Sequence, residues 1–173
     1  MPKDWEHVEG LMNNTNPSRR VYTDDERLKR ACLRSAMHIR GLWEEKGSSD
    51  TRLLEGLFIP DDLTIVGKSV NCDATACREH VVPRLVIIKE CHVMLERGLS
   101  DEEIADFILK HTKIVLISPF ERERLDSKDQ LGMRQTMPDG WGFGDDIYAR
   151  LRLADIQWDD VGINRQSHLG EGA

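Results

Sequence analysis

Apolar positions recur along this chain in two periods, and the change from one to the other divides it. From Leu28 to Leu42 the apolar residues Leu28, Ala31, Cys32, Ile39 and Leu42, with Ser35 among them, fall three or four apart. That spacing is one stripe of an amphipathic helix. Thr23 followed by Asp24, Asp25 and Glu26 has the form of a capping box, so the helix is predicted from there to about Gly47, with Cys32 as core packing. Ser48-Ser49-Asp50 predicts a second cap and a short helix through Leu53, Leu54 and Leu57 that ends before Pro60.

At Leu63 the period shortens. Leu63 to Val70 is rich in β-branched residues and predicts a strand; Asn71 to Ala76 predicts a polar turn, and Cys77 to Val82 a returning partner strand. Pro83 suits the first turn of a helix that carries Leu85, Ile88, Cys91 and Leu95 to Gly98. Ser100 with Glu103 predicts another capped helix, Lys113 to Ser118 a strand, and Ser118-Pro119 a helix whose mixed charges, Glu121 to Arg124, predict a solvent-facing surface. Met137 to Gly144 is a turn-rich loop, and Asp145-Asp146 begin a last helix through Ile147, Leu151 and Leu153. The expectation is an α+β fold, a helix-rich single domain around a β-hairpin followed by a buried helix, a ββα-like centre. Residues 1–20 are expected as a flexible arm, 21–158 as the globular domain and 159–173 as a tail.

Composition adds limits. The 173 residues suit one domain, and a formal charge of -7 argues against indiscriminate nucleic-acid binding. Charge is uneven: Arg19 to Arg40 holds seven basic residues against three acids, whereas Asp101 to Ala173 holds fifteen acids against nine bases. The first stretch is a candidate nucleic-acid contact or a solvated helix face; the second is a candidate surface for a basic protein partner. No apolar run is long enough to span a membrane, and the polar N-terminus lacks a signal core, so a cytoplasmic location is expected. Four cysteines in such a chain read as reduced thiols or metal ligands.

Candidate chemistry gathers at the predicted hairpin–helix junction. Cys72, Cys77, His80, Cys91 and His92 are ligand types that zinc favours, although Cys91 and His92 are adjacent on a helix and point about 100° apart. The alternative for Cys77 and Cys91 is that they are small buried apolar residues, and for His92 that it is a hydrogen-bonded core residue. A thiol enzyme pairing Cys77 or Cys91 with His80 is a further option. Gly140-Trp141-Gly142-Phe143-Gly144 is a poor phosphate loop, since Asp145-Asp146 would repel an anion; Trp141 and Phe143 are expected either to stack on a base or to pack over the domain's own core.

The segment Glu79-His80-Val81-Val82-Pro83, following a predicted hairpin and paired cysteines, resembles the acidic-His-Ile-x-Pro signature of HNH, or His-Me finger, nucleases. The resemblance implies a divalent metal, Mg²⁺ or Zn²⁺, on a nucleic-acid phosphodiester, with His80 as general base and Glu79 as a metal ligand. His92, with Glu90 or Glu96 nearby, would be a helix-borne substitute ligand. Arg78 and Arg84 flank this segment and would position phosphate oxygens. The alternative is a non-catalytic acidic interaction or regulatory protein with a structural hairpin–helix unit, zinc-bound or not.

Overall fold

The computed structural model describes residues 20–161. The predicted arm, apart from Arg20, and most of the predicted tail lie outside that range. Helix α1 spans Asp24–Lys46 and begins at the expected capping box: the Thr23 hydroxyl accepts from the Glu26 N–H, and the Glu26 carboxylate accepts from the Thr23 N–H. It ends at Gly47, whose φ of 70° is the left-handed conformation that glycine takes without strain. Two 3₁₀ turns follow, Thr51–Leu54, capped by Asp50, and Asp61–Leu63. The expected short helix is thus a single 3₁₀ turn, and Leu57 is exposed beyond it.

Strands β1 (Ile65–Ser69) and β2 (Cys77–His80) lead to helices α2 (Arg84–Glu96) and α3 (Asp101–His111), then strand β3 (Ile114–Ile117), helices α4 (Pro119–Asp126) and α5 (Ala149–Leu153), and strand β4 (Trp158–Asp160). The α+β, single-domain expectation holds. The hairpin does not. The sheet order is β2-β3-β1-β4, so β3 lies between the two strands expected to pair. β1 runs parallel to β3, with Ile65 opposite Ile114, and β2 runs antiparallel to it, with Cys77 opposite Ile117 and His80 opposite Ile114.

The reason is visible in β3 itself. Ile-Val-Leu-Ile is apolar on both faces, which suits a central strand, whereas Cys-Arg-Glu-His has polar side chains that need an edge. Residues 70–76 carry the chain past the end of β3, a step of about 10 Å across two strand spacings. β4, which the sequence reading places in the tail boundary, pairs with β1 through Lys68 opposite Asp159.

Two apolar clusters flank the sheet. Ala31, Cys32, Ile39, Ile87, Cys91, Ile104 and Ile108 join α1, α2 and α3. Val115 and Ile117 of β3 pack with Leu125, Met133, Leu151 and Ile156 beneath α4 and α5. The charged helix α4 is less solvated than its composition suggests. Glu121 is 1% exposed. Its carboxylate accepts from the Ser118 N–H at 2.9 Å and from the Ser69 hydroxyl at 2.7 Å, so it caps α4 and ties it to β1. The last helix is also shorter than expected: residues 147–148 form a turn, and only Ala149–Leu153 is helical.

Candidate functional site

Strand β2 and the start of α2 form the floor of a cleft of about 200 Å³. Arg78, Glu79 and His80 enter it from the outer strand, and Pro83, Arg84 and Leu85 from the first turn of the helix. Thr51 of the first 3₁₀ turn, Arg122 and Asp126 of α4, and Arg134 with Gln135 from the following loop complete the walls. Four arginines therefore converge on one concavity of a protein whose net charge is -7.

Their partners differ. Arg78 is paired with Asp61, and Arg84 with Glu55, both carboxylates lying outside the lining. Arg122 lies 3.6 Å from Asp126 and also contacts the Cys77 sulfur, which is the main reason its pKa is raised. Arg134 is exposed and makes no ion pair among the described residues. Burial lowers the pKa of Arg84.

The helix end matters as well. α1, α3 and α4 each begin with a complete capping box and an acid in the first turn; α2 begins at Pro83 with no side-chain cap and no acid in its first turn. An uncapped N-terminus carries partial positive charge and unpaired N–H groups, and here it opens on the arginines.

Glu79 is not available to a cation. It is buried against Arg150, a residue with no exposed surface, which donates to the Glu79 carboxylate, to the His80 carbonyl oxygen and, at 2.8 Å, to the Met133 carbonyl oxygen. Burial pushes the Glu79 carboxyl up, and the guanidinium beside it pulls in the opposite direction. Arg150 thereby fastens α5 and the loop before it to the back of β2. His80 is lowered to about 4, first by burial and then by the charges of Arg78 and Arg150, so its ring is neutral at pH 7. Its Nδ1 is enclosed without a hydrogen-bond partner among the described residues.

The expected metal ligands are dispersed. Cys72 sits in the turn after β1 and Cys77 at the start of β2, both half-buried. Cys91 is fully buried in the helical core, where burial pushes its thiol up to about 12, so it is the core residue of the alternative reading and no reactive thiol. His92 is half-buried on the next position of α2, with Nε2 2.7 Å from the Ser49 hydroxyl, and burial lowers its pKa. Among the described residues no three His, Cys, Asp or Glu side chains come together in a way that could hold a metal ion. Zinc or magnesium ligation by Cys72, Cys77, Glu79, Cys91 and His92 does not fit this arrangement. The fold has buried Cys91 in the helical core and given Glu79 to an arginine.

Arg78, Glu79, His80 and Arg84 are brought together as the sequence suggests, but as an arginine cleft. Arg122, Arg134 and Arg150 are the residues that sequence reasoning missed. Arg122 lies on the charged helix that reads as a solvated face, Arg134 in a stretch between predicted elements that carries no signal, and Arg150 is a charged residue among apolar neighbours Ile147 and Leu151, its one signal. Trp141 and Phe143 pack in an edge-to-face cluster with Phe107 and His111, covering the domain's own core. Within the basic stretch, Arg40 is held by Asp101 at 2.6 Å and Arg27 by Asp24 at 2.8 Å, while Arg30 lies over the Tyr22 ring. Arg19 lies outside the described residues.

No helix of the described residues is long and apolar enough to cross a membrane. Comparison with protein families, curated proteins and solved structures finds no match to this chain.

Proposed function

We propose that the chain is a phosphate-recognition protein, and that the cleft beside β2 takes a phosphate group of its ligand. The observation that carries this reading is the convergence of Arg78, Arg84, Arg122 and Arg134 on the uncapped N-terminus of α2. Guanidinium groups bind phosphate oxygens in pairs, and a helix N-terminus supplies backbone donors and a favourable field. Arg134, with no ion pair among the described residues, is the first contact; Arg122 is the second, because its contact with Asp126, at 3.6 Å, is longer than the Arg78–Asp61 and Arg84–Glu55 pairs.

A second reading, phosphodiester cleavage, is favoured by His80. It stands in the wall of the same cleft, neutral at pH 7, where an imidazole can exchange a proton with a bound phosphate ester. This reading keeps the nuclease-like role of His80 and Arg78 without a cation held by Glu79.

Calorimetric titration of the full chain with pyrophosphate and with a single-stranded oligonucleotide tests the first reading. Saturable binding that Arg134→Ala weakens about tenfold supports it; heats indistinguishable from chloride at equal ionic strength refute it. Tighter binding of pyrophosphate than of the oligonucleotide identifies a small phosphorylated ligand, and the reverse order a nucleic-acid strand. Incubating a labelled oligonucleotide with and without Mg²⁺ tests cleavage: products that persist unchanged in His80→Ala would remove the catalytic role.

A further inference from the structure

A second concavity, of about 320 Å³, lies between α1, the start of β1 and the junction of α3 with β3. Its apolar surface comes from Leu28 of α1, Leu63 and Val66 around the start of β1, and Leu109 of α3. Lys29, Lys110 and Lys113 stand around it together with Asp25. None of the three lysines makes an ion pair among the described residues. Thr112, between two of them in sequence, belongs to the wall, is 4% exposed, and holds a buried hydroxyl with no hydrogen-bond partner among the described residues.

We infer that this pocket is a binding site for a small amphipathic anion, an apolar body bearing one carboxylate. Its volume is in the range of pockets that enclose small organic ligands. Half-buried Leu28, Val66 and Leu109 gain by covering a short alkyl or aryl body, whose burial is favourable in proportion to its apolar area. The lysines select the sign of the head group. On a chain of charge -7, three ammonium groups with no ion pair among the described residues, against the one carboxylate of Asp25, are a local reversal of potential, which attracts an anion and repels an alkylammonium ion of the same body. Thr112, a wall residue between Lys110 and Lys113 in sequence, keeps a buried hydroxyl without a partner among the described residues, a donor that a small shift of the wall would offer to a carboxylate. The arginine cleft differs in kind: its lining is almost wholly polar, with Pro83 and Leu85 as the apolar members, and suits a hydrophilic phosphate.

The test is an amide-detected NMR titration of the full chain with octanoate, with octylamine and 1-octanol as matched bodies. Octanoate is expected to give saturable shifts at Leu28, Val66, Leu109 and Thr112, with a dissociation constant below about 1 mM. The pair Lys110→Gln/Lys113→Gln weakens it about tenfold while the thermal midpoint stays unchanged, and Thr112→Val, which keeps every charge, weakens it less. Octanol binds more weakly than octanoate, and octylamine does not bind. Any of three results overturns the inference: no saturation by about 10 mM octanoate, octylamine binding as well as octanoate, or shifts centred on Arg78 and Arg134. Sedimentation on the same sample distinguishes the other occupant, a second copy of the chain: self-association abolished by the lysine pair would show that this face is a subunit contact and overturns the small-ligand assignment.

Discussion

Arg150 and Glu79 form an ion pair buried behind β2, and the same guanidinium holds the carbonyl oxygen of the next residue, His80. One side chain from α5 thus sets the position of the strand that supplies the cleft. A buried pair of this kind adds little stability over an apolar replacement, but removing one member leaves the other charge stranded. Arg150→Met is therefore expected to destabilise the protein by about 3–5 kcal/mol, and the double variant Arg150→Met/Glu79→Leu to recover most of that loss. Urea denaturation of the two variants checks it; an additive double variant would show that the two residues act independently.

His80 makes stability depend on pH. Its folded pKa, about 4, is below its ordinary value of 6.5, so between those values the unfolded chain binds a proton that the folded chain does not. Stability contributed by the neutral, buried ring is present above pH 6.5 and is lost as pH falls towards 4, by roughly 3 kcal/mol at the lower limit. Denaturant midpoints measured from pH 7 to pH 4 should fall, and His80→Gln should flatten the fall. An unchanged slope in that variant assigns the acid sensitivity elsewhere.

The same residue links pH to anion binding. A dianion seated among Arg78, Arg84, Arg122 and Arg134 raises the pKa of His80, so binding takes up a proton and tightens as pH falls. Sulfate is the suitable probe, since it stays dianionic across this range. The stabilisation of the thermal midpoint by a fixed sulfate concentration should grow from pH 7.5 to pH 5.5, and the growth should vanish in His80→Gln while the pH 7.5 effect remains.

Local features of this fold were readable from sequence, and long-range ones were not. The capping boxes at Thr23–Glu26 and Ser100–Glu103, and Ser118-Pro119 as a helix start, involve residues at most three apart, so their chemistry is complete within the segment. The pairing of β1 with β2 was inferred from nearness along the chain. It fails because β3, distant in sequence but apolar on both faces, competes for the central place. Glu121 and Arg150 are residue types that normally face water, and only their partners, Ser69 and Ser118 for one and Glu79 for the other, explain their burial. The cleft draws on residues 51, 78–85, 122–126 and 134–135, four segments with no common motif.

Strand β4 depends on a glycine. Gly67 lies opposite Asp160 in the β1–β4 ladder, and a Cβ built on it would stand 2.6 Å from the Trp158 ring and 3.3 Å from the Asp159 carbonyl oxygen. The indole has little room to retreat, because it is stacked on Tyr148 with ring centroids 5.1 Å apart. Gly67→Ala must therefore push β4 away or displace Tyr148, and overpacking of this kind costs about 1–3 kcal/mol. The loss should be local in character: amide exchange should accelerate at Asp159 and in the facing part of β1, while the β2–β3 ladder and the helices keep their protection. Trp158 fluorescence should shift to longer wavelength as the ring leaves Tyr148. Unaltered exchange at Asp159 in Gly67→Ala would mean that Trp158 adjusts within the native sheet, and that the glycine is not what admits β4.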